Sequence, residues 1–138
     1  MARITIPYAV ADFIDLRERK FYYVDKTNFI PRLENYNAPV FLRPRRFGKS
    51  LFISTLACYY DRTKADRFEE LFGGTWIGEH PTEEHNRYMI VRYDFSAMAM
   101  ADDMEGLEQN FNRLNCSPVE IMVTHNRDLF QDFQFTTK

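Results

Sequence analysis

The chain has little of what most specialised proteins need. Its two cysteines, Cys58 and Cys116, are far apart and lack metal-ligand spacing, which excludes a disulfide scaffold and a thiolate metal centre and leads us to expect a reduced, cytoplasmic protein. No signal-peptide pattern and no apolar run of about 18 residues is present, so no membrane-spanning helix is expected. His80, His85 and His125 form no cluster. No repeat or low-complexity tract interrupts the sequence. A formal charge of −2 excludes a generally basic nucleic-acid or membrane binder. What is present is a globular composition: 138 residues, 45% hydrophobic, with 13 Phe and 8 Tyr, suit one domain whose core is built largely from rings.

The basic residues that do occur are concentrated. Arg43, Arg45, Arg46 and Lys49 fall within seven positions, between the apolar run Val40-Phe41-Leu42 and the helical spacing of Leu51, Phe52, Thr55, Leu56 and Tyr59. Strand, basic glycine turn and helix is the order of a phosphate-binding loop. A helix that begins after such a turn points unpaired N–H groups and the positive end of its dipole into the turn. Gly48 lets the backbone approach a phosphate, Lys49 reaches the β- and γ-phosphates, and the Ser50 hydroxyl suits Mg²⁺. Arg45, Arg46, Phe47 and Leu51 complete the candidate set around the anion. The general pattern has a glycine five positions before Gly48, where this chain has Arg43.

Elsewhere the periodicity predicts a helix over 10–20 and an aromatic strand or extended segment at 21–24, whose Tyr22 and Tyr23 read as core residues, with a place near a base as the alternative. Asp25 is expected to cap a further helix that reaches about Tyr36, with Pro31 in its first turn. Val40–Leu42 and 88–95 read as strands. Asp66 to Glu69 reads as a capping box opening a helix over 68–72 that stops at Gly73-Gly74, and Trp76-Ile77 as a loop anchor. Asp102 to Glu105 reads as the cap of a helix ending near Asn115. Ser117-Pro118 reads as the start of another, with Val119, Met122, Val123, Leu129, Phe130 and Phe133 on its apolar face. An Ile4, Ile6 alternation suggests a short first strand or an ordered arm, and 134–138 is expected to fray. Asp94, at the end of the 88–95 run, is a candidate to face Mg²⁺ through water; a solvated or capping carboxylate is the alternative.

Four stretches carry a resemblance: Tyr23-Val-Asp-Lys-Thr27, Phe41-Leu-Arg-Pro-Arg-Arg-Phe-Gly-Lys-Ser-Leu51, Phe68-Glu-Glu-Leu-Phe72 and Asp94-Phe-Ser96. Over 22–96 the chain resembles the N-terminal part of the prokaryotic AAA-ATPase-like proteins, in which an arginine at the position of Arg43 is usual. The resemblance implies an α/β fold, a partial P-loop NTPase-type parallel sheet flanked by helices, with ATP and Mg²⁺ as ligands. It also implies a larger protein in which a nuclease-like domain often follows. Relatives carry a Walker B strand, apolar residues leading to Asp-Glu, and nothing after Phe95 reads that way. The chain is therefore expected to be truncated before it, to bind nucleotide without hydrolysing it well alone, and to need a missing C-terminal region or a partner chain to complete the fold. The alternative function is a non-catalytic basic patch for nucleic acid or a protein partner, with Arg43, Arg45 and Arg46 on the backbone, Phe47 as a stacking platform and a degenerate loop.

Overall fold

Each helix of the chain is short and stopped by its own local chemistry, with one exception near the C-terminus. The computed structural model describes residues 5–97 and 103–131. Ile4, Asp102, Phe133 and the 134–138 tail lie outside the described residues. The chain divides into two compact units, Met1–Tyr88 and Met89–Lys138.

In the first unit, α1 (Phe13–Glu18) starts at Asp12, whose carboxylate accepts the Asp15 N–H at 2.9 Å. It ends where Lys20 turns left-handed at φ +53° and the Phe21 N–H reaches back to the Leu16 carbonyl at 3.1 Å. A 3₁₀ turn, Thr27–Phe29, leads into α2 (Ile30–Leu33), with Pro31 in the first turn, where its missing N–H costs no helical bond. Next come α3 (Lys49–Tyr60), a 3₁₀ segment (Arg62–Arg67), α4 (Phe68–Phe72) ending at Gly73, and α5 (Trp76–Glu79). The residues read as a loop anchor, Trp76 and Ile77, thus begin a helix. The capping box expected at Asp66 is not formed, since α4 starts at Arg67 without a side-chain cap.

The core of this unit is aromatic. Phe13, Ile30, Cys58, Tyr59, Leu71, Phe72 and Ile77 are buried together. Phe72 sits at its centre, with ring centroids 5.1 Å from Phe13, 5.5 Å from Tyr59 and 5.2 Å from Phe68. Such offset and edge-on pairs add about 0.5–1.5 kcal/mol each beyond the area they bury. α1 packs on α3 and α4, and the buried Phe13 N–H donates to Ser54 Oγ of α3 at 3.0 Å. That bond fixes the helix behind the basic turn against the rest of the unit.

The expected parallel sheet is not formed. Among the described residues there is no β-strand; residues 21–24, 40–42 and 88–95 run without regular pairing. One isolated parallel bridge joins Asp61 and Tyr88. The Arg62 N–H reaches the Tyr88 carbonyl at 2.9 Å and the Tyr88 N–H the Tyr60 carbonyl at 2.9 Å. The physical reason is that β-propensity needs a partner: a short apolar run becomes a strand only when neighbours fill its hydrogen bonds and cover its faces. Val40 and Leu42 are instead 78% and 85% exposed. The α/β architecture read from those runs is therefore replaced by a helical one.

The second unit is dominated by α6 (Met104–His125), capped by Asp103, whose carboxylate accepts the Gly106 N–H at 2.8 Å. Two helices were expected here, divided at Ser117-Pro118, but α6 runs through with Pro118 inside it. A proline in that place removes one N–H and crowds the carbonyl four residues earlier, a cost of about 3 kcal/mol, yet it does not stop a helix already nucleated on both sides. Asn126 closes α6 by bonding the Met122 carbonyl through its side-chain amide at 2.8 Å. A groove of about 370 Å³ between Ile90 and Arg92 on one side and Leu114, Pro118 and Ile121 on the other belongs wholly to this unit.

Candidate functional site

The basic turn delivers its residues to one end of α3. Gly48 is the N-cap, with φ +75° and ψ 22°, and no side chain bonds the first-turn N–H groups. The first four N–H groups of any helix lack intrahelical partners. Asp12, Thr75 and Asp103 each accept one such N–H at the starts of α1, α5 and α6; at α3 no capping side chain does so. A β-carbon at Gly48 would meet nothing within 4 Å, so the glycine is required by its left-handed backbone and not by crowding.

Arg46 is the second left-handed residue of the turn, at φ +65°. Arg43 has no positive φ. An arginine in the first-glycine position is thus free of the left-handed strain, which falls on Arg46 and costs roughly 1–2 kcal/mol there. The Lys49 ammonium donates to the Arg43 carbonyl at 2.6 Å and is thereby folded back across the mouth of the turn. Arg43, Arg45, Arg46 and Ser50 are exposed, and Phe47 is 62% exposed. Among the described residues none of the three arginines forms an ion pair with a carboxylate. Four cations therefore share one turn and the end of one helix dipole.

Arg46 through Leu51 line one wall of an open cavity of about 760 Å³. Arg45 is not part of that lining. A second wall is lined by residues 6–11 and 22–24 and by Lys26. Sequence reasoning raised Tyr22 and Tyr23 as residues near a base but did not connect 6–11 to the site, because no spacing rule joins an N-terminal arm to a turn some forty residues later.

Asp94 belongs to the second unit. Its Oδ1 accepts the Ser96 N–H at 3.0 Å and the Ser96 hydroxyl at 2.6 Å, and these bonds hold its carboxyl below the usual range. The carboxylate is engaged through Oδ1 in an Asx turn of its own. Among the described residues no group of three or more His, Cys, Asp or Glu side chains converges on a metal-sized space, and no helix is long and apolar enough to cross a membrane.

Tyr23-Val-Asp-Lys-Thr27, one of the stretches singled out in the sequence, has a structural task. Asp25 Oδ1 accepts the Thr27 N–H at 2.8 Å and its hydroxyl at 2.7 Å. Asp25 Oδ2 takes the Trp76 N–H at 2.7 Å, and Thr27 Oγ1 takes the Ile77 N–H at 3.1 Å. Burial works to raise the Asp25 carboxyl, but the Trp76 N–H, the Thr27 hydroxyl and N–H, and the Arg17 charge outweigh it and hold the group below its ordinary value. The Asp-x-Thr pattern signals a local turn; only the fold shows that it also closes the start of α5.

With this geometry in hand, comparison with known proteins is informative. The family described as Predicted AAA-ATPase matches residues 7–137. The chain belongs to the AAA-ATPase-like family. The match runs through both compact units and includes Gly48, Lys49 and Ser50. An uncharacterized protein in the vnfD 5′ region of Azotobacter chroococcum mcd 1 is 36% identical over 110 residues, which are 77% of this chain and 20% of that protein. The chain thus spans about a fifth of the length of that relative. No solved structure matches the chain.

Proposed function

We propose that this member of the AAA-ATPase-like family binds the triphosphate of ATP, with Mg²⁺, at the turn from Arg43 to Ser50. The observation that carries the reading is the start of α3: a left-handed Gly48, no side-chain cap, and Lys49 and Arg46 flanking unfilled N–H groups. Lys49 exchanges the Arg43 carbonyl for β- and γ-phosphate oxygens, and the exposed Ser50 hydroxyl is free to reach the cation. Arg45, Arg46, Phe47 and Leu51 bound the phosphate from the solvent side. Hydrolysis needs an acidic residue to hold Mg²⁺ and a group to orient water. Asp94 is engaged with Ser96, so ATP binding without efficient turnover is the activity proposed for this chain. The free thiols support a reducing, cytoplasmic setting: Cys58 is buried with its thiol pushed up to about 11 by that burial.

The test is calorimetry with Mg·ATP on the wild type and on Lys49→Ala. Removing a charged hydrogen bond of about 1.5–3 kcal/mol should weaken binding roughly ten- to a hundredfold. Equal heats for the two proteins would overturn the reading. A second reading is favoured by Phe47, which projects 62% exposed among Arg43, Arg45 and Arg46: single-stranded nucleic acid tracked by the arginines, with a base stacked on the ring. That binding would fall steeply with salt and ignore ATP.

A further inference from the structure

The cavity beside the turn is two-sided in chemistry. The cations Arg46 and Lys49 stand on one wall, whereas the other presents Pro7, Tyr8, Val10, Tyr22 and Val24. No Asp or Glu is among its described lining residues, and Lys26 adds a third cation at the rim. A volume of about 760 Å³ lies within the span of roughly 300–1,000 Å³ common to small-molecule sites. Its shape of charge suits a ligand that is a polyanion at one end and a flat apolar ring at the other.

The apolar wall is fixed in place. The Tyr22 N–H donates to the Thr5 carbonyl at 3.0 Å, tying the N-terminal arm alongside residues 22–24. The arm then turns at Ala9, which adopts φ +57°. An L-residue holds that conformation at a cost that surrounding structure must offset. Tyr8 and Tyr22 are 90% and 52% exposed, while the rings of Phe13, Tyr59 and Phe72 fill the core. Two aromatic faces are therefore withheld from the core and placed at a cavity.

We infer that this wall is the site for the base and ribose of the nucleotide, with the base stacked on Tyr22 and covered by Tyr8. The inference rests on the phosphate reading above and adds to it the part of the ligand that the turn does not touch. Stacking is tolerant of base identity, so the wall adds affinity for a base without selecting among bases.

Two probes separate this inference from the phosphate reading: Mg·ATP and Mg·tripolyphosphate, the same polyanion without base or ribose, titrated calorimetrically into wild type, Tyr22→Ala, Tyr22→Phe, Tyr8→Ala and Lys49→Ala. Tyr22→Ala should lose about five- to a hundredfold in ATP affinity and leave tripolyphosphate unchanged, and Tyr22→Phe should restore ATP binding. Tyr8→Ala, on the exposed arm, should act in the same sense without touching the core. Lys49→Ala should weaken both probes. Wild type binding the two probes equally, or a Tyr22→Ala loss that is absent or the same for both, overturns the base site and leaves the phosphate site standing. Failure of wild type to bind either probe overturns both.

Discussion

Two helix starts in the first unit face the same electrostatic problem and answer it in opposite ways. At α5, the Trp76, Ile77 and Gly78 N–H groups are taken by Asp25, Thr27 and Thr75, at 2.7, 3.1 and 3.2 Å. At α3, no side chain does the equivalent, and positive charge is gathered around the open end. A filled start contributes to stability, since each buried donor finds an acceptor. An open start, ringed by cations and reached only by a left-handed glycine, is suited to an anion from outside. The two starts differ in what their residues touch: Asp25 and Thr27 bond the start of α5, whereas Gly48, Lys49 and Ser50 leave the start of α3 without a side-chain cap.

The sharpest way to break the comparison is at the filled end. Asp25→Ala removes three bonds to one carboxylate, one of them across 51 residues. Unfolding in urea should show a loss of about 2–3 kcal/mol. Lys49→Ala, at the open end, should do the reverse: its exposed bond to Arg43 is worth little to the fold, so the unfolding free energy changes by less than about 0.5 kcal/mol while nucleotide affinity falls roughly ten- to a hundredfold. Next in size is Gly48→Ala, which forces a β-carbon into φ +75° and should destabilise by about 1 kcal/mol.

The two ends should also differ with pH. Asp25 has a folded pKa held below its ordinary value of 3.8, so its contribution is present in full above that value and is lost as pH falls through the folded one. Stability measured from pH 5 downward should drop accordingly, and Asp25→Asn should flatten that limb. The Lys49→Ala profile should keep the wild-type slope. The smallest effect is expected from Arg46→Gly, which relieves left-handed strain at φ +65° and should raise stability slightly while weakening nucleotide binding by removing a cation.

The turn and helix start at the candidate site were legible in the sequence, because Gly48, Lys49, Ser50 and the helix after them are contiguous and the signal spans only a few residues. Short helices with local stops, such as α1 before Lys20 and α4 before Gly73, were legible for the same reason. The sheet was not, because the apolar runs at 21–24, 40–42 and 88–95 announce a propensity and cannot announce a partner. Pro118 misled for a related cause: a local helix signal gives no account of the turns already formed on either side. The aromatic wall and the Asp25 bonds to α5 depend on chain returning from far away, which no short window contains.

The bond between the Lys49 ammonium and the Arg43 carbonyl bears on the thermodynamics of binding. A lysine side chain that becomes ordered gives up about 2 kcal/mol of rotational freedom. Here that freedom is surrendered when the chain folds, before any ligand arrives. In the proposed reading, a triphosphate entering the turn exchanges the neutral Arg43 carbonyl for a charged oxygen on a side chain already in place, so the stronger bond is gained with part of the ordering cost already met.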